Sequence, residues 1–356
     1  MRRLAAVLCL PALVTLIPAQ QDAAATANAS DQEGNARDQQ GFTVPLTHRG
    51  QRKWKLKLPN EQWQPVGTAF RLAMTHGHDF ATKTEGTRLK VDSDGDGKFD
   101  VTLEGKTAFL ILHGKSPAGK PTTYAVRLRN KSGWQYAPGG YLSGKVKDTP
   151  VKIIDQNGNG RFDDIGQDAL IVGRGKVACP LSEAINVGGE LYQARVSDGT
   201  ELIVTSYTGP TGKLQLECGT KGKVLSAIVQ STNGRYSFDM AKATNGMKVP
   251  VGDYRLVCGE LGLADSRVKM VTGKSQPLAV AKNETKKACW GGPVRAEFAY
   301  QRKGGKVHLS PAQVWYFGAA GEQYVGWTPL GASPKFTITN SADGKEVAQA
   351  HFPGSC

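Results

Sequence analysis

The chain has 356 residues, a formal net charge of +14 and an isoelectric point near 9.5. That length supports two or three domains with buried cores. The charge suits a polyanionic neighbour such as an anionic cell-envelope polysaccharide, but the basic residues are dispersed along the chain, which argues against specific nucleic-acid recognition.

The N-terminus reads Met1-Arg2-Arg3, then an apolar run from Leu4 to Ile17 that contains Pro11, then Pro18-Ala19-Gln20. A basic start, a short apolar core and a small residue at the exit predict a secretory signal peptide over residues 1–19, cut after Ala19. The apolar run is too short for a membrane span. Cys9 follows Leu8, where a lipid-anchor cleavage box needs a small residue. No other long apolar stretch occurs, so the sequence predicts no transmembrane segment once the signal is removed. Residues 20–40 are Ala, Gln, Asn and Asp with almost nothing to bury, and read as a flexible tether.

From Gly41 the pattern becomes short alternating runs. The densest basic stretch, Arg49 to Lys57, sets Lys53, Lys55 and Lys57 against Trp54, Leu56 and Leu58, which predicts a strand with one wet, charged face. Further strands are predicted from Phe70 to Met74, Phe99 to Leu103, Phe109 to Leu112 and Tyr124 to Leu128. Later ones run from Val151 to Ile154, Ala169 to Val172, Leu191 to Val196 and Leu202 to Tyr207. Nowhere does an apolar 3.6-residue period persist for three turns, and the best helical candidate is the short Leu181 to Val187. The predicted class is all-β, built of β-sandwich modules.

Two segments in this region repeat one pattern. Val91-Asp92-Ser93-Asp94-Gly95-Asp96-Gly97-Lys98-Phe99-Asp100 and Ile154-Asp155-Gln156-Asn157-Gly158-Asn159-Gly160-Arg161-Phe162-Asp163 both read D-x-[DN]-x-[DN]-G-[KR]-F-D after an apolar residue. Oxygen side chains stand at the first, third, fifth and ninth places, a Gly at the sixth, and Lys98 or Arg161 at the seventh, where the carbonyl is the ligand. That spacing wraps oxygens around Ca²⁺. A plain hairpin turn needs Asp-Gly or Asn-Gly but not four spaced oxygens.

The pattern resembles the calcium loops of EF-hands, dockerins and thrombospondin type 3 repeats over these two segments. Two departures stand out. The twelfth place, a bidentate Glu in an EF-hand, holds Leu103 and Gly166, so the remaining ligand falls to Asp100 or Glu104 in the first loop, to Asp163, Asp164 or Asp168 in the second, or to water. The flanks alternate with period two, predicting strand–loop–strand in place of helix–loop–helix. The first loop has Asp92, Asp94, Asp96 and Asp100 against Lys98. The second substitutes Asn157 and Asn159, keeps Asp155 and Asp163 beside Arg161, and is expected to turn Asp164 outward. Greater ligand charge makes the first loop the stronger predicted site.

Thr208-Gly209-Pro210-Thr211-Gly212 is the clearest boundary in the chain. Beyond it, Val249-Pro250-Val251-Gly252-Asp253-Tyr254-Arg255-Leu256-Val257 resembles the turn-and-strand of transthyretin-like and carboxypeptidase-regulatory-like β-sandwiches, modules that usually act as spacers or adhesion units. The tail repeats the β pattern from Val294 to Tyr300, Val307 to Leu309, Val314 to Phe317, Tyr324 to Trp327 and Phe336 to Thr339, with a hairpin end at Gly318 to Gly321 and a turn at Asp343-Gly344. The expected organisation is a calcium-loop domain over 41–207, either one unit or two lobes split near 148, a β-sandwich module over 208–292, and a C-terminal β module over 293–356.

Five cysteines remain after the signal: Cys179, Cys218, Cys258, Cys289 and Cys356. None forms C-x-x-C, so zinc ribbons and thioredoxin-like chemistry have no support. In an oxidising compartment two disulfides and one thiol are expected, with buried unpaired thiols as the alternative. Leu214, Leu216 and Cys218 alternate, as do Tyr254, Leu256 and Cys258, which predicts a Cys218–Cys258 pair inside one sandwich.

No nucleophile elbow, zincin or phosphate-loop pattern is present. His76 and His78, on one side of an extended chain, are the single lead toward a zinc hydrolase, but three protein ligands are needed and the other histidines are scattered. Trp134, Tyr136 and Tyr141, and Trp315, Tyr316, Phe317, Tyr324 and Trp327, offer a glycan-stacking face or, more simply, core and cross-strand pairs. The resulting expectation is an exported, non-catalytic, calcium-binding structural or adhesive protein of the cell surface or envelope, in contact with an anionic polysaccharide or surface proteins. A glycan-binding module and a metallohydrolase around His76/His78 are the alternatives.

Overall fold

Alternation of apolar and polar residues is realised as strand almost throughout. The computed structural model describes residues 41–73, 79–116, 119–263, 265–304, 306–326 and 335–351. Within these, thirty strands form seven sheets, and the single helical element is the short 3₁₀ segment Met240–Asn245, capped by the Asp239 side chain. The architecture is all-β, with several separate sheets in keeping with β-sandwich modules. No helix among the described residues is long and apolar enough to cross a membrane. The expected signal peptide and tether, His76, His78, Trp327 and Cys356 lie outside the described residues.

Residues up to about 206 build four sheets. Thr107–Lys115, Pro121–Asn130, Trp134–Pro138 and Gln64–Pro65 pair in that order, and Thr47–Gly50, Gly140–Val146, Thr149–Ile154, Ala169–Val172 and Cys179–Pro180 form the next. Their inward positions, including Leu112, Tyr124, Val126 and Leu128 on one side and Leu142, Val151, Ile153 and Leu170 on the other, share one core. A third sheet of Ala69–Arg71, Asp79–Glu85, Arg88–Val91 and Val101–Leu103 adds Phe70, Phe80, Leu89 and Val91 to it. Each fully buried Leu, Ile or Val of this kind contributes about 1.5–3 kcal/mol through removal of apolar surface from water. The fourth sheet joins Phe42–Pro45, Glu201–Ser206, Glu190–Ser197 and Ala184–Val187.

That last strand corrects the helical expectation for Leu181 to Val187. Gly188 and Gly189 both take positive φ, 63° and 90°, so they close a two-residue hairpin that registers Val187 against Glu190. The turn chemistry outweighs a weak helical period. The expected strand from Trp54 to Leu58 is also absent. Its alternation is real, with Leu56 buried and Lys55 and Lys57 exposed, but only Lys57 bridges a neighbour, Val177, and the rest of the segment is irregular.

From Thr211 a second core forms between a three-stranded sheet, Met247–Pro250, Thr211–Gly219 and Thr285–Gly291, and a long sheet that contains Lys223–Ser231, Gly252–Leu263 and Ser266–Val271. Thr211–Gly219 and Thr285–Gly291 run parallel; the other pairs are antiparallel. Leu214, Leu216, Val229, Tyr254, Leu256 and Trp290 fill this core. The long sheet continues through Gln323–Val325 into the hairpin Arg295–Lys303/Lys306–Phe317, so these strands extend the sheet of the preceding module, while Lys335–Thr339 and Glu346–His351 pair as a separate two-stranded sheet.

The four described cysteines are free thiols, and the expected Cys218–Cys258 bond is not formed. The reason is a bulge. Ile228 opposes Cys258 but Val229 opposes Leu256, leaving Val257 as an extra residue in the Gly252–Leu263 strand. The extra residue inverts the alternation. Tyr254 and Leu256 face the second core, whereas Cys258 packs against the first, away from Cys218.

Candidate metal centre

Each repeated loop closes a hairpin. The first leaves Arg88–Val91 and returns in Val101–Leu103 with Val91 opposite Val101; the second leaves Thr149–Ile154 and returns in Ala169–Val172 with Ile154 opposite Ala169. The paired flanks hold the ends of each loop at strand spacing, so the loop between must curl back on itself. Glycines permit this: Gly95 and Gly97 take φ of 74° and 88°, Gly158 and Gly160 of 73° and 82°.

In the first loop the Asp92 carboxylate organises the curl. Its Oδ1 accepts from the amides of Gly95 (2.8 Å) and Asp96 (3.2 Å), and its Oδ2 from Gly97 (2.9 Å). Asp100 folds back to accept from the Ser93 amide (2.7 Å) and hydroxyl (2.5 Å). As a result Asp92, Asp94 and Asp100 each offer a carboxylate oxygen within 4.8 Å of the others. Asp92 is buried while Asp94 and Asp100 are exposed, so the trio opens to solvent on one side. Partial burial raises the Asp100 pKa, but the two Ser93 hydrogen bonds outweigh it and the carboxyl sits below its ordinary value. Asp96 stays outside the trio, accepting from the Lys98 amide (2.8 Å) with Lys98 Nζ at 3.6 Å. Glu104, a sequence candidate for the last ligand, pairs with Arg88 at 2.7 Å.

The second loop repeats the curl with different partners. Asp155 Oδ1 accepts from Gly158 (2.7 Å) and Asn159 (3.2 Å), and Oδ2 from Gly160 (2.6 Å). Oδ2 also accepts from the Tyr124 hydroxyl at 2.7 Å. At the ninth place Asp163 turns out to meet Arg161 Nε and Nη2, both at 3.0 Å. Asp164, expected outside, turns in, where it accepts from the side-chain amides of Asn157 (3.2 Å) and Asn159 (2.7 Å). The role of Asp100 passes to Asp168, which accepts from the amides of Gln156 (3.2 Å) and Asp164 (3.0 Å).

Burial separates the loops further. Phe99 is 45% exposed, whereas its counterpart Phe162 is 3% exposed and part of the first core. The segment before the second loop also clamps it: Asn60 donates its amide to Gln156, Gln64 its side-chain amide to the Asn157 carbonyl, and Ala73 its amide to the Asn159 carbonyl. Tyr136 donates to the Gly158 carbonyl. Desolvation pushes Asp155 up to about 6 against its four hydrogen bonds, and pushes Asp168 up to about 8 with the help of the Asp155 charge.

Three converging carboxylates supply the oxygen donors that a hard divalent ion takes. Both loops hydrogen-bond their first aspartate to backbone amides, but the first still brings three carboxylates together at the surface, whereas in the second Asp163 pairs with Arg161 and Asp164 is held by Asn157 and Asn159. Sequence reasoning missed Tyr124, which lies 31 positions before Asp155 and outside any local motif. Asp168 carried a signal as an acid just past the pattern. The aromatic cluster Trp134, Tyr136 and Tyr141 is drawn inward: Trp134 is buried and donates to the Thr87 carbonyl, and Tyr141 lies half-buried beneath Lys152. No protein-family model matches the chain, and no curated protein or solved structure does.

Proposed function

We propose that this chain is an exported, non-catalytic calcium-binding protein with a structural or adhesive role at the cell surface or envelope, and that its first loop is the principal Ca²⁺ site. The observation that carries this reading is the convergence of Asp92, Asp94 and Asp100 within 4.8 Å, from a loop whose spacing matches calcium-ligand geometry. The Lys98 carbonyl and water complete the shell. With no acid at the twelfth place, affinity falls in the weak extracellular range, Kd on the order of 10⁻⁴–10⁻³ M. The second loop is the weaker site, because Asn157 and Asn159 replace two carboxylates and Tyr124 occupies Asp155.

Thermal unfolding of the mature protein tests this. Millimolar Ca²⁺ should raise the melting temperature above its value in EDTA, since the ion binds the folded loop and not the open chain. Asp94→Ala should remove more of that rise than Asn157→Ala. Identical curves in EDTA and Ca²⁺ would overturn the reading.

A further inference from the structure

The outer face of the Pro121–Asn130 strand carries Arg127 and Arg129, alternating with the buried Val126 and Leu128. Residues 50–63 cross this face. Gly50 lies over Phe109, Ala125 and Ile111, and the Arg52 guanidinium sits 5.8 Å from the Phe109 ring centre. Arg127 is enclosed between two indoles, 4.1 Å from Trp54 and 5.3 Å from Trp63, and Arg129 lies 4.1 Å from Trp63. The result is a row of alternating rings and guanidinium groups along one sheet.

Arg127 also donates to the Pro138 carbonyl and to Glu61. Arg129 donates Nε to the neutral Gln135 side chain. Among the described residues Arg52, Lys53, Lys55 and Arg129 form no ion pair. Stacking fastens residues 50–63 to the sheet, but fastening does not require this surplus of charge. Like charges gathered on one face repel, a cost relieved when an anion neutralises them.

We propose that this face binds an acidic polysaccharide, whose carboxylates are taken by the outward N–H groups of the stacked guanidiniums. Arg127 spends its donors on Pro138 and Glu61, but stacking leaves in-plane donors of Arg52 and Arg129 available in a fixed plane, the geometry that carboxylates match. A single-stranded nucleic acid fits less well, because it needs open ring faces and those of Trp54 and Trp63 are already covered by arginine. A duplex needs an element that enters a groove, and this is a sheet face. The site is separate from the calcium loops, so its test is run in EDTA and its outcome is independent of theirs.

Calorimetric titration of the mature protein with oligogalacturonate should show binding that weakens with salt, while neutral dextran gives none. Arg52→Gln/Arg129→Gln should lower affinity about tenfold or more, the loss of two charge-assisted contacts. The charge-matched control Lys282→Gln/Lys286→Gln should change it less than about twofold, because those exposed lysines belong to the other module. Melting curves check that each variant folds, and Arg52→Gln alone serves if the double variant does not. Equal losses in the two pairs, absence of uronate binding, or tighter binding of a single-stranded DNA of equal charge would overturn the proposal.

Discussion

The two repeated loops share a nine-place spelling and a hairpin setting, yet one faces water and the other a core. In the first, Gly97 has open space around its α-carbon and Phe99 is exposed; in the second, Gly160 lies against the Leu72–Ala73 backbone and Phe162 is buried. The difference shows how one curl can be stabilised in two ways. Both first aspartates accept backbone amides, but the first loop leaves Asp94 and Asp100 exposed beside Asp92, whereas the second engages Asp155 with Tyr124 and Asp164 with Asn157 and Asn159.

The largest test of this contrast removes the organising aspartate from each loop in EDTA. Asp155→Ala strands three amides and a buried phenol and should cost about 4 kcal/mol, since each stranded donor costs ~1 kcal/mol or more. Asp92→Ala should cost about half as much, because the donors it releases reach water. Equal losses by denaturant unfolding would erase the distinction between the loops.

Next in size is the comparison of Gly160→Ala with Gly97→Ala. Both positions have positive φ, so that strain, about 1 kcal/mol, is common to the two. At Gly160 a Cβ would also lie 2.5 Å from the Ala73 nitrogen, whereas at Gly97 it would meet nothing within 4 Å. Gly160→Ala should therefore cost about 2 kcal/mol more, and comparable melting points for the variants would show the clamp on the second loop to be loose.

The pH response should differ in sign. Asp168 and Asp155 have folded values raised above the ordinary carboxylate range, to about 8 and about 6. Groups of this kind stabilise the fold at low pH and lose that contribution as pH rises through their folded values. Stability in EDTA should thus fall between about pH 4 and pH 8, with Asp168→Asn removing most of the decline. Asp100 is shifted the other way, so its contribution is present above the ordinary value and lost on acidification. A Ca²⁺-free protein whose stability rises steadily over pH 4–8 would contradict the burial of the second pair.

Much of this was legible from local pattern. Period-two alternation located the strands around both loops, and Asp/Asn and Gly spacing located the curls, because these depend on neighbours in sequence. What escaped depends on distant contacts. Nothing near Asp155 announces the Tyr124 hydroxyl, and no pattern announces that Asp163 will prefer Arg161 while Asp164 turns inward. The Cys218–Cys258 expectation failed at one extra residue, Val257, which reverses the facing of everything after it. Gly188-Gly189 is a turn signal in the sequence, and in the structure the hairpin it closes prevails over the weak helical period in Leu181 to Val187.

The parallel pairing of Thr211–Gly219 with Thr285–Gly291 has a mechanical consequence. Because the strands point the same way, the start of the first and the end of the second lie at opposite ends of the pair. A pull between Thr211 and Gly291 slides one strand along the other, so the paired residues from Lys213/Thr285 to Gly219/Gly291 share the load in shear. A pull between Arg295 and Phe317, at the open end of their antiparallel hairpin, instead parts the rungs one after another. Single-molecule stretching should record a distinct force peak for the first geometry and a lower, gradual release for the second, making residues 211–291 the stiffer of the two under load.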